Sequence, residues 1–329
     1  MPFNSNHINV DAVITWVDGN DEQWQRKINP YLEKKIDWSN KKETVRFQSI
    51  DEIVYCIQSI IKFAPFIRNI FVVTDNQTPP NFSELQALAE KKGKKLRLVD
   101  HKEIFTDFES YLPTFNSRSI GPMLTRIKGL AEHFIFFNDD FFLMKETQVT
   151  DFFVEGKPIY RGKWAEFYEN RKARKVYLKV APLFKIRPKV VKEGTKKAQQ
   201  TGAKVVGLNK YVKLNHTPVA LRKSTIDSFF EQNPEVLINN IKYRFRSKDQ
   251  FIVSSLGVHL EVKSGTAIIK KNLQLTYFQS YRKLKRVKRK LKRFEKSNSK
   301  LFTCFQSLEM ADSKTQEYII NWIEKRLEI

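Results

Sequence analysis

Apolar and β-branched residues occur in short runs along the first 140 residues, and each run ends in polar or acidic residues. Four such runs predict strands at residues 11–17, 69–74, 96–99 and 135–137. Between them, apolar residues recur at helical spacing, which predicts helices at about 22–35, 50–61, 82–92 and 117–129. Strands that alternate with helices are typical of a parallel sheet covered on both faces. The pattern predicts a Rossmann-like (GT-A-like), doubly wound, mostly parallel α/β fold.

The most informative stretch is residues 134–142, in which an aromatic strand runs directly into Asn138, Asp139 and Asp140. Burying an unpaired carboxylate costs several kcal/mol or forces it to take up a proton. Two adjacent carboxylates are tolerable if a cation neutralises them, and hard oxygen ligands suit Mg²⁺ or Mn²⁺. Asn and Asp also open ordinary turns, so the residues alone leave both interpretations available.

Other predicted strands end in acids too. Asp18 follows the first strand and Asp75 follows the second. In parallel α/β sheets, ligands bind beyond the carboxyl ends of the strands. Because Asp18, Asp75, Asp139 and Asp140 all lie at such ends, one rim of the sheet is expected to collect them. This convergence favours a binding site over an isolated turn.

The second half of the chain differs from the first in composition and in the pattern of its apolar residues. Residues 157–205 are dense in Lys and Arg without a strong period, which predicts an insertion or lid. We predict a catalytic α/β domain at 1–280 that includes this insertion. A basic helix and a C-terminal helical segment at 281–329 would pack on the domain or extend it.

The stretch 281–296 carries apolar residues at helical spacing, with ten basic residues and one acid among them. Such a helix could lie on an anionic membrane surface or hold a polyanionic chain. It could equally be a surface helix with a solvated basic face and an apolar stripe on the core.

One histidine and several arginines are the remaining candidates for chemistry. His216 lies in a polar loop before Pro218, where it could act as a base, although a loop histidine can also be merely solvated. Arg244 and Arg246 would point to one side of an extended strand and could clamp a diphosphate, or pair with surface acids. Arg118 and Arg126, in the helix before the central strand, are weaker candidates of the same kind.

Composition narrows the class of protein. The net charge is +23; residues 1–150 hold 19 basic and 20 acidic residues, and residues 151–329 hold 40 and 16. This asymmetry indicates a polyanionic partner, which could be nucleic acid, acidic lipid or an acidic substrate. No Walker loop, GxGxxG or zinc spacing is present, which argues against ordinary kinases, NTPases and NAD enzymes. Two distant cysteines, no apolar run of about 20 residues and no secretion signal predict a cytoplasmic protein.

Several of these segments resemble a known family. Residues 11–19, 46–52, 63–77, 112–117 and 134–142 are similar to the first two conserved regions of the Stealth family. Residues 216–218 and 244–247 resemble its third region, and 302–327 resembles its fourth more loosely. The family comprises bacterial capsular polysaccharide phosphotransferases and is related to the animal enzyme that adds GlcNAc-1-phosphate to lysosomal glycoproteins.

The resemblance implies transfer of a sugar-1-phosphate from a UDP-hexose or UDP-HexNAc to a hydroxyl of an anionic capsule glycan, with release of UMP. It implies catalytic roles for His216, Asp140, Arg246 and Arg126, and Mg²⁺ or Mn²⁺ held by Asn138, Asp139 and Asp140. The donor pocket would be formed by Trp16, Asp18, Gly19, Arg46, Asp75, Asn76, Asn116, Ser117 and Arg244. The enzyme would work in the cytoplasm or as a peripheral protein at the inner face of the plasma membrane, with no nucleic acid partner.

Two rival functions remain at this point. A metal-dependent GT-A glycosyltransferase would use the same donor and release UDP instead of UMP. A polyanion-binding module would explain the basic half but would leave the acids at the strand ends unexplained.

Overall fold

The computed structural model describes residues 8–44, 50–171, 176–177, 180 and 194–329. Its helices are α1 Glu22–Ile28, α2 Lys41–Thr44, α3 Glu52–Phe63, α4 Phe82–Lys91, α5 His101–Ile104, α6 Ser117–Ile120, α7 Thr195–Val205, α8 Lys223–Gln232, α9 Pro234–Ile241, α10 Val253–Lys263, α11 Leu284–Glu295 and α12 Ser313–Leu327. Its strands are β1 Val10–Thr15, β2 Ile67–Thr74, β3 Lys95–Asp100, β4 His133–Asn138, β5 Phe141–Leu143, β6 Phe153–Val154, β7 Lys157–Glu166, β8 Lys210–Leu214, β9 Val219–Arg222, β10 Ile268–Lys270, β11 Leu275–Phe278 and β12 Phe302–Phe305.

The main sheet has the order β3-β2-β1-β4-β9 within the described residues. The first four strands are parallel, and β9 runs antiparallel to β4. Strands buried on both faces consist of continuous apolar runs, so β1 and β4 could be predicted from the sequence. The predicted mostly parallel α/β fold is confirmed.

Side chains of β1 alternate between two cores, one on each face of the sheet. Ala12 and Ile14 pack with α3, α4, α11 and α12, whereas Val13 packs with α8, α9 and α10. Successive side chains of a strand point to opposite faces, so the central strand serves both layers. Helices therefore cover both faces, as a doubly wound sheet requires.

The predicted helices differ from the observed ones mainly at their ends. The first is shorter than expected, because α1 stops at Ile28 and a 3₁₀ turn follows at Asn29–Tyr31. The helix expected to reach residue 129 is α6 alone, followed by a 3₁₀ helix at Gly121–Arg126. Pro122 has no N–H to donate to the carbonyl four residues back, which breaks an α-helix here.

Residues 157–205, predicted as an insertion or lid, begin and end in regular structure. Strand β7 pairs with β6, β8 and β10, and helix α7 packs against α10. Residues 172–175, 178–179 and 181–193 lie outside the described part. The strand and helix at the two ends of this region belong to the packed fold and deliver the chain into β8, which leads to His216.

The C-terminal segment packs on the main sheet. Strand β12 pairs with β11 and β5, and α11 and α12 share the core of α3. Cys56 and Cys304 are both buried free thiols, as predicted for Cys56 from its place on the apolar face of α3. No helix of the described residues is long and apolar enough to span a bilayer.

Candidate active site

The carboxyl ends of β1 and β4 lie side by side at the middle of the main sheet. Thr15, the last residue of β1, is opposite Asn138, the last residue of β4. The strand order reverses here, because β2 and β3 lie on one side of β1 and β4 lies on the other. A crevice opens above such a reversal, and ligands of α/β proteins bind there.

A cavity of about 220 Å³ occupies this crevice and is called the switch-point cavity below. It is lined by Thr15, Trp16, Val17, Trp24, Val73, Asp75, His101, Thr114, Phe115, Asn116, Ser117, Ile120, Asn138, Asp139 and Arg246. Its walls combine aromatic rings with a small set of polar groups, which is typical of sites for organic ligands.

A second cavity of about 160 Å³, the His216 cavity, lies beside the first. It is lined by Ser117, Arg118, Phe136, Asn138, Phe141, Thr195, Gln199, Leu214, Asn215, His216, Thr217, Val219, Arg246, Ile252, Val253 and Ser254. Asn138, Ser117 and Arg246 line both cavities. Two compartments with a shared wall suit a reaction that joins two substrates.

His216 lies in the loop between β8 and β9, and the pairing of β9 with β4 brings this loop to the end of β4. Its ring stacks on Tyr277 with centroids 4.5 Å apart and meets the edge of Phe141 at 6.3 Å. Burial lowers the pKa of His216 below its ordinary value. The imidazole is therefore neutral at pH 7, as a general base must be before it accepts a proton.

Asn138 is the last residue of β4, and Asp139 and Asp140 form the turn between β4 and β5. A turn at this place agrees with both interpretations of these residues. Asp139 lines the switch-point cavity, whereas Asp140 is turned toward β12. The Cys304 thiol donates to Asp140 Oδ2 at 3.3 Å, while Oδ1 is buried and has no hydrogen-bond partner among the described residues. Within that part of the chain, no lysine or arginine pairs with either aspartate.

Two glutamates add to the negative charge around these aspartates. Burial, then the charges of Asp140 and Glu52, raise the pKa of Asp139 well above its ordinary value. Burial raises the pKa of Asp140 to about 6. Burial, with Glu52 and Asp140 nearby, raises the pKa of Glu309 to about 7, and Glu309 Oε1 has no partner in the described chain. Buried carboxyl groups gathered in one region favour a cation.

The donor set fits a magnesium site that the protein completes only in part. Among the described residues, no three His, Cys, Asp or Glu side chains are placed to hold a metal ion by themselves. Mg²⁺ commonly takes one or two carboxylates and fills its other positions with water and substrate phosphates. Asp139 and Asp140, with the amide of Asn138, match that partial set, and the unpartnered Oδ1 of Asp140 is the observation that supports it.

The two arginines predicted to clamp a diphosphate do not act as a pair. Residues 243–248 form turns and loop, so the predicted extended strand is wrong. Arg244 Nε donates to the carbonyl of Pro113 at 2.8 Å, and its guanidinium lies over the ring of Tyr31. Arg246 instead reaches both cavities and donates to Ser117 Oγ at 3.2 Å. Only Arg246 of this pair is placed to meet a ligand.

Arg126 also lies away from both cavities. Its Nε donates to the carbonyl of Ile104 at 3.0 Å, and its guanidinium stacks over Phe108. These contacts hold the end of the 3₁₀ helix against the segment after β3. The structure therefore gives Arg126 a structural position and does not bring it to Asp139 or His216.

Four other predicted donor-pocket residues have different positions. Asp18 accepts from the backbone of Asn20 at 2.8 Å, and Gly19 accepts from Gln25, so both shape the loop after β1 without lining either cavity. Asn76 has a φ of 56°, and its backbone N–H donates to the carboxylate of Asp100. Arg46 lies outside the described residues.

Trp16, Asp75, Asn116 and Ser117 do line the switch-point cavity. Asp75 is held by an ion pair with Lys27, and Asn116 is completely buried, where it caps α6 and donates to Gln250. Trp16 Nε1 is buried and has no partner among the described residues. Trp16 therefore has an unused donor, and Asn116 mainly holds the wall in place.

Sequence reasoning missed several residues of this region. Tyr277 and Cys304 come from strands far along the chain, and Glu309 follows β12. His101 lines the switch-point cavity, and burial lowers the pKa of His101. The similarity of 302–327 to a fourth conserved region was the signal that could have directed attention to Cys304 and Glu309.

Two models of protein families match the first half of the chain. The family model for Stealth protein conserved region 1 matches residues 9–36, and that for conserved region 2 matches residues 46–159. Both matches end before His216, so the similarity of 216–218 and 244–247 to a third region stays a prediction.

Curated relatives extend the similarity further along the chain. Capsular polysaccharide phosphotransferase fcs1 of Haemophilus influenzae is 33% identical over 264 residues, which are 78% of this chain and 67% of that protein. Capsular polysaccharide phosphotransferase cps12A of Actinobacillus pleuropneumoniae is 30% identical over 249 residues, 73% of this chain and 60% of that protein. The chain thus spans about 60–67% of the length of these two relatives.

Solved structures resemble the chain more distantly. The bifunctional glycosyltransferase WbbM has a TM-score of 0.48 at 13% identity, covering 97% of this chain and 52% of that one. The galactosyltransferase LgtC, solved with donor and acceptor sugar analogues, has a TM-score of 0.42 at 10% identity, covering 95% of each chain.

Proposed function

The chain belongs to the Stealth family, and we propose that it transfers a sugar-1-phosphate from a UDP-sugar to a hydroxyl of a growing capsule glycan. The transfer would form a phosphodiester and release UMP. The observation that carries the proposal is the pair of cavities that share Asn138, Ser117 and Arg246 as a common wall. One cavity lies at the reversal of the sheet, and the other contains a neutral histidine.

The switch-point cavity is assigned to the nucleotide sugar. Trp16 and Phe115 offer aromatic surface for a planar base, and the unused indole N–H of Trp16 can donate to an oxygen of the ligand. Arg246 lies in the wall that the two cavities share. Asp139 lines the switch-point cavity and follows Asn138, which also belongs to that wall. The diphosphate of the donor is therefore expected at this wall, with the base deeper in the crevice.

The His216 cavity is assigned to the acceptor. The acceptor hydroxyl attacks the phosphorus that carries the sugar, His216 takes the hydroxyl proton, and the bond to the oxygen of UMP breaks. The sugar C1–O bond stays intact, so the sugar arrives with its phosphate. Phosphoryl transfer depends mainly on positioning and on neutralising charge, which two adjoining binding compartments provide.

Mg²⁺ is the proposed cofactor, with Mn²⁺ as the substitute, and Asp139, Asp140 and Asn138 are the proposed ligands. When bound, the ion neutralises charge on the diphosphate and on the leaving nucleotide. Arg246 supplies a second positive group at the shared wall. It is placed to hydrogen-bond the phosphoryl oxygens while the acceptor oxygen approaches.

Identification of the nucleotide product tests the reaction class. Purified protein is incubated with a panel of UDP-sugars, Mg²⁺ and a short capsule fragment, and the released nucleotide is separated by chromatography. UMP, together with a phosphodiester signal in the ³¹P NMR spectrum of the glycan, is the expected result. Accumulation of UDP would instead identify a glycosyltransferase and would overturn the proposal.

Replacement of Arg246 is expected to reduce kcat much more than replacement of Arg244. Arg246→Ala removes the cation at the shared wall, and a loss of about 10²–10³-fold in kcat is expected. Arg244→Ala removes bonds to backbone and a stacking contact, so it is expected to lower thermal stability while kcat stays within about threefold of wild type.

Steady-state kinetics and thermal unfolding of both variants check this prediction. Arg246→Lys keeps the charge and tests whether the planar guanidinium matters. Equal losses of kcat in the Arg244 and Arg246 variants would contradict the separate positions that the two residues have in the structure.

A further inference from the structure

Helix α11 presents a strongly basic surface next to His216. Val287, Leu291 and Phe294 are buried, and the basic residues of 282–296 are exposed. The acid of this stretch, Glu295, accepts a hydrogen bond from Trp322 Nε1 at 2.7 Å. The helix therefore buries its apolar face in the protein and exposes its charges.

The positive charges of this helix are not compensated by the protein. Among the described residues, no acidic side chain forms an ion pair with a lysine or arginine of 282–296. Like charges on adjacent turns repel one another and destabilise an isolated helix. Such a surface is expected to be retained where an anionic partner neutralises it.

One edge of this surface contacts β11 at Tyr277, whose ring stacks on His216. Lys290 Nζ donates to the carbonyl of Tyr277, and the ring of Tyr277 stacks on His216. Arg286 and Arg293 are four residues before and three residues after Lys290, so the three side chains share one face. Together they form the Lys290 face, which meets β11 at Tyr277.

We propose that the Lys290 face binds the phosphodiester groups of a polyanionic acceptor chain while the terminal hydroxyl of that chain lies at His216. The inference rests on the proposed function, in which the acceptor occupies the His216 cavity. Arg286, Lys290 and Arg293 are about 6 Å and 4.5 Å apart along the helix axis. A row of cations on successive turns matches a chain that carries a negative charge in each repeat.

The geometry favours a glycan over a membrane surface as the partner. The apolar residues that would enter a lipid interface, Val287, Leu291 and Phe294, are buried in the core instead. The opposite edge of the helix carries Lys288, which lies over the ring of Tyr318 on α12. A flat anionic membrane would use both edges, whereas a single chain leaving His216 would use the Lys290 face.

Two matched double variants separate these possibilities. Arg286→Gln with Arg293→Gln removes two charges from the Lys290 face and leaves Lys290 in place. Lys285→Gln with Lys292→Gln removes two charges from the Tyr318 edge that are also seven residues apart. Circular dichroism and thermal unfolding establish that both variants are folded.

The probes are synthetic sugar-1-phosphate oligomers of one, four and eight repeats. For the octamer, the variant of the Lys290 face is expected to raise KM about tenfold, or about 0.7 kcal/mol for each charge removed. For the single repeat, kcat and KM are expected to stay within about twofold of wild type, because one unit does not reach the helix. The Tyr318-edge variant is expected to match wild type with all three acceptors.

Other results would overturn the inference. Equal rises in octamer KM for both double variants would show non-specific attraction rather than an oriented track. Unchanged octamer KM with loss of sedimentation on phosphatidylglycerol vesicles would assign the surface to a membrane. If wild type transfers to no acceptor, the proposed function fails on its own. Fluorescence anisotropy of a labelled octamer then still decides the binding role, since only the Lys290-face variant should weaken it.

Discussion

Replacement of Asp140 by asparagine is expected to lower kcat by about 10³-fold or more while the chain stays folded. Asparagine keeps the size of the side chain and removes its negative charge. The Oδ1 atom of Asp140 is buried and has no hydrogen-bond partner among the described residues, which leaves it available to a cation. Activity assays at saturating Mg²⁺ measure the loss, and turnover near the wild-type rate would remove Asp140 from the mechanism.

The same substitution has a predictable effect on stability without metal. Burial raises the pKa of Asp140 to about 6 from 3.8. The folded chain therefore holds this proton more tightly than the unfolded chain does, and the resulting stability is present below about pH 4 and lost as pH rises to about 6. At pH 7 the charged carboxylate therefore lowers the stability of the folded chain.

Thermal unfolding in EDTA between pH 4 and pH 7 checks whether stability falls as the pH rises. Asp140→Asn is expected to be at least as stable as wild type at pH 7 and to lose less stability over this range. Added Mg²⁺ should raise the Tm of wild type and have little effect on the variant, because only wild type has the Asp140 carboxylate to bind the ion. A matching rise in both proteins would place the ion elsewhere.

The central sheet could be predicted because its physics is local. Residues 134–138 are apolar enough to require burial on both faces, and Asn138, Asp139 and Asp140 are too polar to continue the strand. A polar break after a buried strand marks the carboxyl edge of a parallel sheet, where ligands bind. This reasoning correctly brought Asp75 and Asp139 to one rim.

The surroundings of Asp140 could not be predicted in the same way. Cys304 and Glu309 reach it from the far end of the chain, and only the pairing of β12 with β5 brings them there. No periodicity in the sequence encodes which distant strand completes a sheet. Sequence reasoning therefore found the acids but not Cys304, whose thiol donates to Asp140, or Glu309, whose own pKa is raised by burial.

The arginines show a different limit. Alternation around Phe245 suggested a strand, but Phe245 stacks on Phe115 and Arg244 is drawn to the carbonyls of Leu112 and Pro113. Tertiary contacts of this kind override a short local pattern. The sequence identified Arg246 as a candidate, and only the structure separated it from Arg244.

Replacement of His216 by glutamine is expected to lower kcat by about 10²–10⁴-fold, the usual contribution of a general base. Glutamine can still accept a hydrogen bond but does not take the proton at neutral pH. Tyr277 and Phe141 hold the ring of His216 at the cavity wall, so the loss should reflect chemistry rather than displacement of the loop. Circular dichroism should be unchanged.

The pH profile distinguishes a base from a merely structural ring. Burial lowers the pKa of His216. The kcat/KM of wild type should therefore stay level from pH 8 down to the ordinary pKa of histidine, and fall only below that pH. The residual rate of the variant should lack this fall. His101→Gln, a buried histidine in the switch-point cavity, is the matched control and should keep the acid limb. If His216→Gln kept both its rate and the acid limb, another group would have to receive the proton from the acceptor.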